Sequence, residues 1–161
     1  MLQQSEIYKC LATVADPEVP VLSILDLGIV REVIINEQDE VTIIITPTYS
    51  GCPAMDIIAM QIRFALLAIG VLKVSIQHQL SPAWTTDWMS DEGKEKLRAY
   101  GIAPPHRKST DTLALFEEEI TSCPKCGSPN TEMTSQFGAT SCKALYRCCS
   151  CQEPFEYFKC H

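Results

Sequence analysis

The chain has 161 residues, 46% of them hydrophobic and 20% charged, which suits one ordinary domain or a compact domain with a small appended module. A large multidomain enzyme and wholesale disorder are both excluded. Thirteen Lys and Arg against 20 Asp and Glu leave a net charge of −7, the wrong sign for holding nucleic acid by its phosphates.

The amino terminus has no basic start followed by an apolar run and a small-residue cleavage site, so a cytoplasmic protein is expected. Ile7, Cys10, Leu11 and Val14 recur at helical spacing behind Ser5, a good N-cap residue, and Asp16-Pro17 stops that helix. Ile29–Ile35 and Val41–Thr46, both rich in β-branched residues, flank the polar turn Asn36–Glu40 and predict a hairpin. Pro53 to Ile69 is apolar at helical spacing and closes on Gly70, which predicts a long helix packed on the sheet. The longest apolar stretch, Ile57–Leu72, is broken by Gln61 and Arg63, so it suits a buried helix and no membrane span is expected. Val71–Leu80 supplies a third strand, and Ser90-Asp91-Glu92 opens a short charged helix ending at Tyr100-Gly101. The order is that of a small α+β domain, a mixed β-sheet covered by helices.

Nine cysteines, an odd number in a chain without an export signal, point to metal ligation or thiol chemistry rather than a disulfide framework. Only Cys10 and Cys52 fall before residue 123, whereas six lie within 29 residues, from Cys123 to Cys151. Residues 1–102 carry 7 Lys/Arg against 13 Asp/Glu (net −6), and residues 103–161 carry 6 against 7 (net −1). The chain is therefore expected to hold a first domain over 1–102, a linker over 103–120 opened by Pro104-Pro105, and a cysteine module over 121–161.

Cys123-Pro-Lys-Cys126 and Cys148-Cys-Ser-Cys151 are two C-x₂-C pairs 21 residues apart. Each pair in a tight turn offers two thiolates to one ion, and four soft sulfur donors suit tetrahedral zinc. Gly127 follows the first pair where the backbone turns beneath the metal. Strand-like stretches at Thr131–Phe137, Ala144–Arg147 and Phe155–Lys159 complete a C-terminal three-stranded zinc ribbon, with Cys123, Cys126, Cys148 and Cys151 as ligands. The same thiolates can hold iron, which the spacing alone does not separate from zinc. Cys142, Cys149, Cys160 and His161 are surplus to a four-ligand site, as spare or structural groups or as extra metal-handling ones.

Cys52 sits between the second strand and the long helix, with Pro53 at the expected first helical position and Cys52 at or near the N-cap. The amides and dipole there favour a thiolate, so the thiol pKa is expected to be lowered and Cys52 is a candidate transfer thiol, although a lone loop cysteine is often inert. Asp16, Glu18 and Asp26 lie in a proline- and aliphatic-rich loop before the first strand. They either fix turns or stand beside Cys52 to assist metal or proton handling. Trp84 and Trp88 serve as core or partner contacts. His78, His106 and His161 form no Ser/His/Asp or Cys/His set, so an independent hydrolase is disfavoured.

ADPEVPVLSILDLGIVREV and TPTYSGCPAMDII resemble the small domain family associated with iron-sulfur cluster assembly. With CPKCGS, FGATSCKALYRC and EPFEYFKCH added, the whole chain resembles the D-type components of the bacterial phenylacetyl-CoA epoxidase. The resemblance implies an accessory role, without catalysis of its own, beside a di-iron oxygenase and a flavin/iron-sulfur reductase in aerobic phenylacetate degradation. It implies a structural zinc and a transient iron-sulfur cluster or iron handled through Cys52. The sequence agrees in lacking a Glu-x-x-His ligand pair and a G-x-G-x-x-G fingerprint. A coupling component with only structural zinc, a general cluster-assembly factor, and a nucleic-acid-binding ribbon opposed by the negative charge are the alternatives. Whether the chain forms a homodimer stays open.

Overall fold

A computed structural model describes residues 1–105 and 121–159. The chain divides into two compact units, Met1–Gly93 and Lys94–His161. Most of the expected linker, together with Cys160 and His161, lies outside the described residues.

The first unit begins with α1 (Gln4–Leu11), β1 (Val30–Ile35) and β2 (Val41–Ile45), followed by α2 (Ala54–Ala68) and β3 (Val74–His78). β1 and β2 pair antiparallel, β2 and β3 pair parallel, and β2 is the central strand of this mixed sheet. Alternation along β2 buries Val41, Ile43 and Ile45, while Ile7 and Leu11 of α1 and Ile58, Ile62 and Leu66 of α2 are fully buried. One sheet face is thus apolar, as the hairpin pattern requires.

Two helix starts differ from expectation. α1 is capped by Gln3, not Ser5: the Gln3 amide donates to Glu6 Oε2 at 3.1 Å in a reciprocal capping box. α1 also ends at Leu11, before Val14, because the Thr13 hydroxyl donates to the Cys10 carbonyl at 2.7 Å and the Val14 carbonyl is taken by the Ile24 amide at 3.0 Å. Pro53 is the N-cap residue of α2, which places Cys52 one residue before the cap.

Between β3 and α3 (Asp91–Tyr100) lies a single 3₁₀ turn, Thr86–Trp88. Trp84 belongs to the core: it is buried, and its indole N–H donates to the Leu27 carbonyl at 2.8 Å. Trp88 receives the Arg31 guanidinium over its ring, 3.7 Å from the centroid.

The cysteine-rich unit holds β5 (Thr131–Ser135), β6 (Lys143–Cys148) and β7 (Pro154–Phe158), the three expected strands with shifted ends. A fourth, β4 (Ile102–Ala103), pairs parallel with β7, so the sheet order is β4-β7-β6-β5. Ala103, Cys123, Cys148, Phe155 and Tyr157 form its small core, with Tyr146 packed against them. Among the described residues no helix is long and apolar enough to cross a membrane.

Candidate functional site

Cys52 closes the turn Tyr49–Cys52, its amide donating to the Tyr49 carbonyl at 3.2 Å. That turn keeps Tyr49 beside the thiol, and the Tyr49 hydroxyl donates to Glu18 Oε1 at 3.3 Å. Asp16 sets the other side: its Oδ1 accepts from the Glu18 amide at 2.7 Å and the Val19 amide at 2.9 Å, fixing the turn that presents Glu18. The structure therefore brings Glu18, Tyr49 and Cys52 together, with Asp16 as the residue that shapes the Glu18 turn.

Asp26 is taken up elsewhere. Its Oδ2 accepts from the Ser23 amide at 2.9 Å, its own amide donates to Ser23 Oγ at 3.1 Å, and its carbonyl accepts from the Ser90 amide at 2.9 Å. This network ties the loop before β1 to the start of α3, a structural task.

The Cys52 thiol does not have the lowered pKa expected from its place near a helix start. Burial pushes it up and the Glu18 charge adds to that. The Ala54 amide and the hydroxyls of Tyr49 and Thr48 pull the other way without prevailing. Burial likewise drives the Tyr49 hydroxyl upward, with Cys52 and Glu18 contributing, so Tyr49 stays a neutral donor. Cys52 is thus held as a thiol beside a donor and a carboxylate, a form suited to losing its proton when a metal arrives. Sequence reasoning gave Tyr49 and Thr48 no role; the only signal was an aromatic residue three positions ahead of a loop cysteine.

The second cluster lies in the ribbon. Sγ atoms of Cys123, Cys126, Cys148 and Cys151 all lie within 4.8 Å of one another, with Cys126 to Cys148 at 3.5 Å and Cys123 to Cys151 at 3.8 Å. Tetrahedral zinc with bonds of about 2.3 Å separates its sulfurs by about 3.8 Å, so the donor set fits one such ion and leaves no room for a polynuclear cluster. Each knuckle turns through a left-handed residue after its second cysteine, Gly127 (φ 75°) and Gln152 (φ 64°). The Ser128 and Ser150 hydroxyls meet at 2.7 Å and Lys125 pairs with Glu153 at 2.8 Å, linking the two knuckles.

Amide hydrogen bonds from Cys151 and Ser150 pull the Cys148 thiol down to about 6. For Cys151 the Glu153 amide acts downward too, but burial and the neighbouring cysteine sulfurs outweigh it and push the thiol up to about 12. Four sulfurs this close disfavour a second and third negative charge unless a cation joins them. Cys142 and Cys149 stand outside the cluster. Cys142 is buried with its Sγ 2.9 Å from Thr140 Oγ1, and the Cys149 amide donates to the Asn130 carbonyl at 2.8 Å.

Two family models match this chain: one described as an iron-sulfur cluster assembly protein over residues 4–76, and one described as a PaaD zinc beta ribbon domain over residues 106–159. A protein of Escherichia coli (strain K12), named as the D component of 1,2-phenylacetyl-CoA epoxidase, is 50% identical over 159 residues, covering 98% of this chain and 93% of that protein. This chain belongs to the PaaD family of phenylacetyl-CoA epoxidase components. A shorter relative of the family, the Fe-S protein maturation auxiliary factor of Porphyromonas gingivalis, is 36% identical over 95 residues, 58% of this chain and 90% of that protein. The crystal structure of a domain of unknown function, DUF59, from Bacillus anthracis is 28% identical, with a TM-score of 0.55 over 58% of this chain and 90% of that one. The two matched regions of the PaaD-type chain thus coincide with the two clusters, the thiol loop in the first and the four sulfurs in the second.

Proposed function

We propose that this chain is an accessory component of a phenylacetyl-CoA epoxidase system, and that it matures or maintains an iron or iron-sulfur centre of the oxygenase or reductase components. The observation that carries the proposal is the Glu18–Tyr49–Cys52 constellation inside the region similar to cluster-assembly proteins. The near full-length likeness to an epoxidase component and the shorter likeness to a maturation auxiliary factor support it.

In this reading iron or a cluster is cargo, and Cys52 is the sulfur that takes it up. Binding is a ligand exchange without change of oxidation state: the S–H bond breaks, the thiolate displaces a water or donor-thiolate ligand from the iron as the sulfur–iron bond forms, and the proton passes to the carboxylate of Glu18. Tyr49 orients thiol and carboxylate through its hydroxyl. Cys123, Cys126, Cys148 and Cys151 hold a structural zinc that supplies folding free energy of the order of 10 kcal/mol, which so small a core lacks. The ribbon then serves as a docking module for the epoxidase components, in the cytoplasm, without nucleic acid.

The test is made in cells. Cys52→Ser at unchanged protein level is expected to lower phenylacetyl-CoA oxygenation about tenfold or more and to deplete iron in the partner components. Unchanged activity and iron content would leave a coupling component carrying only structural zinc.

A further inference from the structure

The four ribbon sulfurs differ in access to solvent. Cys126 and Cys151 are exposed, whereas Cys123 and Cys148 are buried. Four cysteines can join as two disulfides in three ways. One of these, Cys123 with Cys148 and Cys126 with Cys151, sets the two buried sulfurs against each other, away from any oxidant in solution. A second closes each C-x₂-C pair on itself and leaves nothing covalent between the knuckles. In the third, Cys126 meets Cys148 at 3.5 Å and Cys123 meets Cys151 at 3.8 Å, contacts that join residues 22 and 28 apart in the chain. Each of them runs between the knuckles and puts one exposed sulfur against one buried sulfur.

Links that do not pass through a metal hold the knuckles in this arrangement. The Ser128 and Ser150 hydroxyls meet at 2.7 Å, Lys125 pairs with Glu153 at 2.8 Å, and the Cys149 amide donates to the Asn130 carbonyl at 2.8 Å. The facing sulfurs therefore stay opposed while an ion leaves. We propose that the ribbon is a reversible peroxide-sensitive switch, in which disulfides Cys123–Cys151 and Cys126–Cys148 take over from zinc the task of holding the two knuckles together.

The oxidant is hydrogen peroxide. The exposed thiolates of Cys126 and Cys151 each attack one peroxide: a sulfur–oxygen bond forms, the O–O bond breaks and hydroxide leaves. The buried thiolates of Cys148 and Cys123 then attack these sulfenic sulfurs, each forming an S–S bond and expelling a second hydroxide. Over the whole site four thiolates give up four electrons, two peroxides and four protons become four waters, and Zn²⁺ leaves to water ligands with its charge unchanged. A disulfide sulfur carries no charge for the metal, so release follows from the oxidation itself. A dithiol reductant returns the four electrons and restores the donor set. The cross-links replace the metal as the constraint on the chain, so the ribbon keeps its fold without zinc. Cys142, whose Sγ lies 2.9 Å from Thr140 Oγ1, and Cys149 belong to neither contact and take no part. The switch does not depend on the function proposed for Cys52.

The test exposes the full zinc-loaded chain to hydrogen peroxide and follows zinc release with a chromophoric chelator. Disulfides are located by peptide mass spectrometry with fragmentation between Cys148 and Cys151, and the amide signals of β5, β6 and β7 are followed by NMR. Expected are the loss of about one zinc per chain, the two disulfides between the knuckles, and ribbon signals that shift but stay dispersed. Dithiothreitol and zinc are expected to restore the starting spectrum. Chain kept reduced and stripped with a chelator is expected to lose the ribbon signals, which separates oxidation from simple metal loss. The double variant Cys142→Ser, Cys149→Ser is expected to respond as wild type does. Zinc retained while cysteines elsewhere in the chain oxidise overturns the proposal. So do disulfides within the knuckles, sulfinic acids in place of disulfides, collapse of the ribbon signals on oxidation, or a double variant that no longer responds.

Discussion

The Tyr49 hydroxyl meets the Glu18 carboxylate at 3.3 Å, joining the DPEVP turn to the Cys52 loop across 31 residues of chain. Both residues act on the thiol, and they act in opposite senses. Glu18 raises its pKa by charge, whereas Tyr49 lowers it by hydrogen bonding to the thiolate.

Alkylation of Cys52 by iodoacetamide therefore has a signed dependence on both. The reactive form is the thiolate, so the wild-type rate is expected to rise with pH to a midpoint above that of an ordinary thiol, about 8.5. Glu18→Gln removes the repelling charge, moves the midpoint down and speeds alkylation near pH 8. Tyr49→Phe removes the donor, moves the midpoint up and slows it. Equal profiles for all three proteins, measured by peptide mass spectrometry, would remove the linkage.

In the ribbon, Cys148→Ser is expected to abolish binding of about one zinc per chain and to collapse the amide signals of β5, β6 and β7 in NMR spectra. Signals from Met1–Gly93, a unit with its own apolar core, are expected to persist. Cys142→Ser and Cys149→Ser are expected to retain the metal, because neither sulfur belongs to the four-sulfur cluster. Zinc content by plasma emission checks all three.

Much of this was legible because local signals were strong. β-branched runs around Asn36–Glu40 placed the hairpin, and the Cys123, Cys126, Cys148, Cys151 spacing marked the sulfurs that the fold brings within 4.8 Å. Other features depend on tertiary context. β4 has two residues and no periodicity of its own, and it exists because β7 offers it an edge. Ser5 has the better capping chemistry, but Gln3 and Glu6 close a reciprocal box with its cap two residues earlier. The Cys52 pKa went the other way from expectation because burial, with the Glu18 charge, outweighs the Ala54 amide at the helix start and the Tyr49 and Thr48 hydroxyls.

Gly28 gives a stability test of the loop that carries Asp16, Glu18 and Asp26. Its φ is +72°, and an added Cβ would lie 2.4 Å from the Trp88 carbonyl oxygen. Gly28→Ala is expected to destabilise the first unit by about 3 kcal/mol, combining left-handed strain with backbone displacement. Gly51→Ala has a similar φ of +75° and open space around the new methyl, so about 1 kcal/mol is expected. Urea unfolding of the two variants separates clash from conformational strain, and equal losses would contradict the close approach.

The most direct measurement of the central claim is iron, zinc and acid-labile sulfide analysis, with a visible spectrum, of wild type and Cys52→Ser loaded with ferrous iron and sulfide under anaerobic conditions. The expected result is about one zinc in both proteins, held by the ribbon sulfurs, and iron with sulfide in the wild type only. Zinc alone in both, or iron retained equally by Cys52→Ser, would contradict a cargo role for Cys52.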